Sequence, residues 1–253
     1  MKAIILAGGL GTRLGNLTDE IPKPMVEIGN TPILLHIMKR YAKFGVTNFV
    51  ILGGYKVEKI KKYFNEIRIL SDDVTFVLGE NKILEGNEFQ LNWNVTVIDS
   101  GLSTSTAGRL LSARKYLSED ESFFLTYGDG LSNIDHANQI TQFKTSDALL
   151  QMTAVRIKSR YGLIVSKGNK VVQFGEKAES DQLINGGFFV ASTKIFDFIH
   201  GDESFEELTI PRLVDNSHVD IYEHSGFWQS MDTPSEHKAL NALWTKGAAP
   251  WCN

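Results

Sequence analysis

Residues 2–14 read KAIILAGGLGTRL, and a little further on the chain reads Pro22-Lys23-Pro24-Met25. Ala3 to Leu6 form an apolar run of the kind that fills a parallel sheet. The run opens directly into Gly8, Gly9 and Gly11. Such glycines let backbone N–H groups approach an anion closely, at the strand end where open α/β sheets bind ligands. Fold and chemistry therefore turn on which phosphate loop this is.

Two familiar loops do not fit. A P-loop needs G-x-x-x-x-G-K-[ST], but no Lys-Ser/Thr follows the glycines here. A dinucleotide fingerprint needs G-x-G-x-x-G/A opening into a helix, with an acidic residue after the second strand. Leu14 stands where the third small residue belongs, and Gly53-Gly54-Tyr55 stands where the acid belongs.

Working outward, the spacing predicts a helix from Pro32, with Ile33, Leu34, Ile37, Met38 and Tyr41 on one face and Gly45 as its stop. NFVILGG (48–54) reads as a buried strand, VEKIKKYFN (57–65) as an amphipathic helix, and VTFVLGE and NVTVID as strands. RLLSARKYL is a helix, SFFLTYGDG a strand ending in a polar turn, and Asn138–Lys144 a further helix. Strands alternating with helices imply an α/β fold: a Rossmann-like, mostly parallel sheet with helices on both faces. Beyond residue 147 the texture turns β-rich, with ALLQMTAVRI, YGLIVSKGNKVVQF and INGGFFVAS, before a terminal helix in SEHKALNALW. One domain over 1–253 is expected, in two parts, 1–147 and the β-rich 148–253.

Composition narrows the class. Of 253 residues, 42% are hydrophobic and 22% charged, as in ordinary globular proteins. A net charge of −4 gives no footprint for nucleic acid or an anionic membrane. A single cysteine, Cys252, excludes an internal disulfide or a cysteine-based zinc site and suits a reducing cytoplasm. The N-terminal apolar run is too short for a signal peptide, and no stretch approaches the ~20 apolar residues that span a bilayer.

Gly8-Gly9-Leu10-Gly11-Thr12-Arg13-Leu14 followed by Pro22-Lys23-Pro24-Met25 resembles the signature of the sugar-1-phosphate nucleotidyltransferases. A tight turn carrying a surface Arg and Lys is the plainer reading, but both cations stand at the family's spacing. Arg13 offers a planar fork for phosphate oxygens, and Lys23 a compact charge held between stiff prolines. LAGGLGTRL, KPMVEIG, PILLHIMK, WNVTVIDSG, STAGRL, LTYGDG, INGGFFV, GFWQSMDT and KGAAPW together resemble one branch of that family, the branch that transfers a cytidylyl group to glucose 1-phosphate.

The resemblance implies roles residue by residue. Leu6, Ala7, Gly8, Gly9, Leu10, Gly11, Thr12 and Arg13 would cradle CTP, with Lys23, Thr104, Arg109 and Gly128 completing the nucleotide site. Asp129 and Asp232 would hold Mg²⁺; alone, Gly128-Asp129-Gly130 reads as a turn and Asp232-Thr233-Pro234 as a helix cap with Asp at the N-cap. Glu176, Lys177, Asn185 and Gly186 would face the sugar 1-phosphate, which would make 1–147 the nucleotide-binding part and 148–253 the sugar-binding and metal-completing part. Arg13, Lys23, Asp129 and Asp232 would carry the catalysis, and the family implies a homo-oligomer, in this branch a hexamer. Three departures fall toward the acceptor: Ala107 replaces the family's first glycine in Thr-Gly-Gly-Arg, Ala178 replaces the proline of Glu-Lys-Pro, and Tyr161-Gly162 replaces a phenylalanine-glycine turn. Another sugar 1-phosphate or small phosphorylated acceptor, UTP or dTTP in place of CTP, or an idle nucleotide sensor on the same fold remain as alternatives.

Other residues read as structural. The six histidines show no metal-binding spacing, and His36 is expected to pack within the first helix. Trp93 and Trp228 are expected as core or wall residues, Glu119-Asp120-Glu121 as a solvated loop, and Lys59, Lys61 and Lys62 as a wet helix face.

Overall fold

The computed structural model describes residues 1–71, 74–77, 82–85, 91–117, 122–158, 163–175 and 179–252. In chain order the N-terminal elements are β1 (Lys2–Ala7), β2 (Glu27–Ile28), β3 (Thr31–Pro32), α1 (Ile33–Ala42), β4 (Asn48–Gly53), α2 (Val57–Ser71), β5 (Val74–Val77), β6 (Lys82–Glu85), β7 (Asn94–Asp99) and α3 (Thr106–Ala113). There follow β8 (Ser122–Tyr127), β9 (Gly130–Ser132), α4 (His136–Lys144), β10 (Leu150–Lys158), β11 (Leu163–Lys167), β12 (Lys170–Gly175), β13 (Glu179–Ser192), α5 (Ile210–Asp215), β14 (Val219–His224), β15 (Trp228–Ser230) and α6 (Pro234–Thr245).

Seven strands form one sheet in the order β14-β10-β13-β8-β1-β4-β7. The pairs β8/β1, β1/β4 and β4/β7 are parallel, as the strand–helix alternation predicts. Strand β13 enters antiparallel between β8 and β10, and β14 runs parallel to β10. The β-rich second half thus extends the same sheet. Its hairpin β11–β12 turns at Gly168, whose φ of +59° suits glycine.

Strand β1 shows how the sequence builds two faces. Its side chains alternate, so Ala3, Ile5 and Ala7 enter one hydrophobic cluster while Ile4 and Leu6 enter the other. The first cluster takes Ile33, Ile37 and Tyr41 of α1 and Leu240 of α6; the second takes Leu110 of α3 and Leu213 of α5. Full burial of Ile4 and Ile5 stabilises by about 2 kcal/mol each. The face predicted for α1 is buried throughout, and Gly45 follows it at φ +79°.

His36 lies within that buried helix. Trp251 Nε1 donates to its Nδ1 at 3.2 Å, so the other nitrogen carries the proton and donates to Ile28 O at 3.0 Å. Burial lowers its pKa, which keeps the ring neutral. Trp93 packs on Phe49 at 5.2 Å between ring centres, and Lys59, Lys61 and Lys62 are exposed. The run Glu119-Asp120-Glu121 lies outside the described residues. Among the described residues no helix is long and apolar enough to cross a membrane.

Candidate active site

The glycine loop leaves β1 and winds through 3₁₀ turns over Thr12–Thr18, where a dinucleotide fingerprint would open an α-helix. Gly9, Leu10, Thr12 and Arg13 are exposed, while Leu14 is buried and anchors the loop from below. Gly11 is left-handed at φ +68°, and a Cβ there would stand 3.0 Å from Lys23 Cβ. Glycine is needed at that point both for the turn and for the close approach of Lys23. Lys23 itself opens a short 3₁₀ turn, Lys23–Met25, with Pro24 and Met25 buried.

Two short strands bring the distant aspartates together. β9 begins one residue after Asp129, and β15 ends two residues before Asp232. They pair antiparallel with Ser230 opposite Gly130, and Met231 N–H donates to Asp129 O at 2.9 Å. Gly128 permits the approach from the other side: a Cβ there would be 3.0 Å from Pro24 Cγ. The N-cap of α6 is Thr233, in a capping box with Glu236, and Pro234 takes the first helical position. Asp232 is therefore not the cap, and its carboxylate is released into the cleft.

The four charged groups converge. Lys23 Nζ donates to Asp129 Oδ2 at 2.6 Å and to Asp232 Oδ1 at 2.8 Å, and Arg13 reaches the same Asp232 oxygen at 2.8 Å. The Lys23 side chain is only 12% exposed, whereas that of Arg13 is 74% exposed. Burial pushes the Asp232 pKa up, but the hydrogen bond and charge of Lys23 and the charge of Arg13 outweigh it and hold it below the usual carboxylate range. A cation already sits between two hard oxygen donors, so the donor set fits a divalent ion such as Mg²⁺. Among the described residues no cluster of three or more potential metal-ligating side chains occurs, so phosphate oxygens and water would complete the shell.

The other expected nucleotide contacts gather at the ends of β1, β4 and β7. Leu6 and Ala7 are buried, and Leu6 O accepts from Gly128 N–H at 2.9 Å, leaving backbone as their means of touching a ligand. Arg109 lies under the loop, 5% exposed. Its guanidinium donates to Gly53 O, Ser100 Oγ, Gly101 O and Leu102 O at 2.7–3.2 Å. A Cβ on Gly8 or Gly54 would collide with it. Here Arg109 ties the ends of β4 and β7 together and packs beneath the glycine loop. Thr104 sits beside Gly101 in the same cluster. Ala107 is fully buried in α3 without a positive φ, so the methyl that replaces the family glycine is accommodated.

Of the residues expected to face the acceptor, Asn185 and Gly186 line a cleft of about 340 Å³ that also contains Arg13, Asp129 and Asp232. Gly186 O accepts from Trp228 Nε1 at 2.6 Å, placing that indole as a wall. Glu176, Lys177, Ala178 and Tyr161-Gly162 lie outside the described residues. Among the further residues lining the cleft are Tyr127 and Glu206, which sequence reasoning did not single out. The Tyr127 hydroxyl donates to Glu206, and burial, then the Glu206 charge, raise its pKa. Tyr127 immediately precedes the Gly-Asp-Gly turn, a position that could have flagged it, whereas Glu206 lies in an unremarkable acidic pair.

A family model described as nucleotidyl transferase matches residues 2–240. A glucose-1-phosphate cytidylyltransferase of Salmonella typhimurium is 42% identical over 253 residues, covering 99% of this chain and 98% of the relative. A probable glucose-1-phosphate cytidylyltransferase of Bacillus subtilis is 40% identical over 255 residues, covering 99% of each. Among solved structures, HddC from Yersinia pseudotuberculosis superposes with a TM-score of 0.69 at 25% identity, covering 96% of this chain and 99% of that one. The chain belongs to the nucleotidyl transferase family.

Proposed function

We propose that this nucleotidyl transferase joins CTP to α-D-glucose 1-phosphate, giving CDP-glucose and pyrophosphate. The observation that carries the reading is the meeting of Arg13, Lys23, Asp129 and Asp232 at the mouth of the glycine loop. The names of the full-length relatives supply the base and the sugar.

In the proposed reaction an acceptor phosphate oxygen attacks the α-phosphorus in line. A bond from that oxygen to phosphorus forms, the bond to the β-phosphate bridging oxygen breaks, and pyrophosphate leaves with the electron pair. No protein nucleophile is required; positioning and charge neutralisation are the work of the site. The loop from Leu6 to Arg13 cradles the triphosphate with backbone N–H groups, and Arg13 and Lys23 stabilise the charge that builds on the leaving pyrophosphate. Thr104 and Gly128 border the nucleotide, and Arg109 fixes the loops beneath it. Asn185 and Gly186 face the acceptor, in the part beyond residue 147, and family resemblance would add Glu176 and Lys177. Asp129 and Asp232 would hold Mg²⁺, which when bound supplies further neutralisation of phosphate charge. We place the reaction in the cytoplasm and the chain in a homo-oligomer, a hexamer by family resemblance.

The test is a matrix of CTP, UTP, dTTP and GTP against sugar 1-phosphates, scored by pyrophosphate release with Mg²⁺. Turnover is expected with CTP and glucose 1-phosphate. Turnover confined to UTP or dTTP overturns the cytidylyl assignment, and nucleotide binding with no turnover on any acceptor points to a sensor.

A further inference from the structure

We infer that Glu206 reads a hydroxyl of the acceptor and makes the cleft selective for uncharged sugar rings. The inference rests on the proposed cytidylyl transfer and adds to it a specificity residue.

Glu206 lies in Phe205–Thr209, a single π-helical turn. Such turns recur at functional sites because the extra residue re-aims a side chain. Glu206 is turned inward and lines the cleft, while its neighbours Glu207 and Leu208 face solvent. The turn is firmly based. Arg212 forks onto Glu203 at 2.8 and 3.1 Å, Thr209 Oγ1 donates to Glu203 at 2.7 Å, and Ser204 caps the turn through Glu207 N–H at 3.1 Å.

The carboxylate of Glu206 is held only by hydroxyls among the described residues. Oε1 accepts from Tyr127; Oε2 accepts from Thr106 Oγ1 at 2.6 Å and from Ser204 Oγ at 3.3 Å. An ionised carboxylate offers roughly four lone-pair sites, so these three donors leave acceptor capacity beside the cleft. Arg13, a cation lining the same cleft, is committed to Asp232. A carboxylate that meets no cation among the described residues, beside Tyr127, Trp228 and Asn185, matches a polyhydroxylated ring, with aromatic walls for its faces and acceptors for its hydroxyls. The same charge repels an acceptor that carries its own carboxylate.

The experiment compares wild type, Glu206→Gln and Glu206→Ala with CTP as donor. Acceptors are glucose 1-phosphate, its monodeoxy analogues and glucuronic acid 1-phosphate. Glu206→Ala should raise KM for glucose 1-phosphate ~10-fold, the scale of a lost hydrogen bond to a charged group, and leave KM for CTP unchanged. One monodeoxy analogue should be poor for wild type yet equal to glucose 1-phosphate for Glu206→Ala. Glu206→Gln should improve the use of glucuronic acid 1-phosphate relative to glucose 1-phosphate. Equal rises in both KM values with a lower melting temperature, or an unchanged acceptor KM, would overturn the inference while leaving cytidylyl transfer standing. Absence of wild-type turnover on every acceptor removes the parent reading and this one with it.

Discussion

Lys23 Nζ lies 2.6 Å from Asp129 Oδ2, an ion pair closed across 106 positions of sequence. With Asp232 on its other side, the ammonium stands where a divalent cation would sit between the carboxylates. On the proposed metal assignment, lysine and metal compete in the free protein. Lys23→Met should tighten Mn²⁺ binding in the absence of nucleotide by ~10-fold or more, since one charge–charge contact is worth about 1 kcal/mol in bulk water and about 4 kcal/mol near a protein surface. Turnover should fall in the same variant. Electron paramagnetic resonance of free Mn²⁺ reads the first effect, and an unchanged affinity would dismiss the competition.

Asp129→Asn and Asp232→Asn should each lower turnover by about 100-fold or more, the scale of losing a preorganised charge in a site. Their folds should be retained, because neither carboxylate lies in the hydrophobic clusters. Circular dichroism together with pyrophosphate release at saturating Mg²⁺ checks both statements. Near-normal turnover in both variants would sink the metal assignment.

Gly11→Ala should destabilise by about 1–2 kcal/mol, the cost of a left-handed φ for a residue with a Cβ. Its methyl also presses on Lys23, so KM for CTP should rise. Gly9→Ala is the control: its Cβ meets nothing within 4 Å, and urea unfolding should place it within ~0.5 kcal/mol of wild type. Equal stability of the two variants would contradict the argument.

Acid should weaken the fold well above the carboxylate range. Burial lowers the His136 pKa to about 3 from an ordinary 6.5, and burial also lowers His36 and His224. A depressed histidine is neutral when folded, so as pH falls through 6.5 the unfolded chain takes up protons first. The stabilisation is complete above that value and drains away below it. His136 alone should cost about 1 kcal/mol between pH 7 and 5.5, from a limiting slope of ~1.4 kcal/mol per pH unit. Urea titrations across that range should show the loss, and His136→Phe should flatten it by about one proton. An unaltered slope in His136→Phe would falsify this account.

Much of the architecture was legible because it follows from local periodicity. Ile33, Ile37 and Tyr41 mark the buried face of α1, and the apolar runs of β1, β4 and β8 mark a parallel sheet buried on both faces. The insertion of β13 between β8 and β10 was not legible, since register between distant strands leaves no local pattern. At the site, Arg13, Lys23, Asp129 and Asp232 stood out through spacing and resemblance, and the structure brings them within 2.6–2.8 Å. The reason they meet was hidden, because β9 and β15 are three residues each and carry no clear strand signal. Glu206 was hidden for a related reason: in Phe205-Glu206-Glu207-Leu208 only the π turn distinguishes the inward carboxylate from the outward one.

The pairing of β9 with β15 also sets an order of events. Its two strands lie about a hundred residues apart in sequence, so the pair closes only after much of the intervening sheet exists to hold its ends near each other. On dilution from denaturant, helices form early from local contacts. The ion pair of Lys23 with Asp232, which follows β15, returns only with this clasp. Recovered catalysis should therefore lag recovered helicity, which makes turnover a clock for the completion of folding.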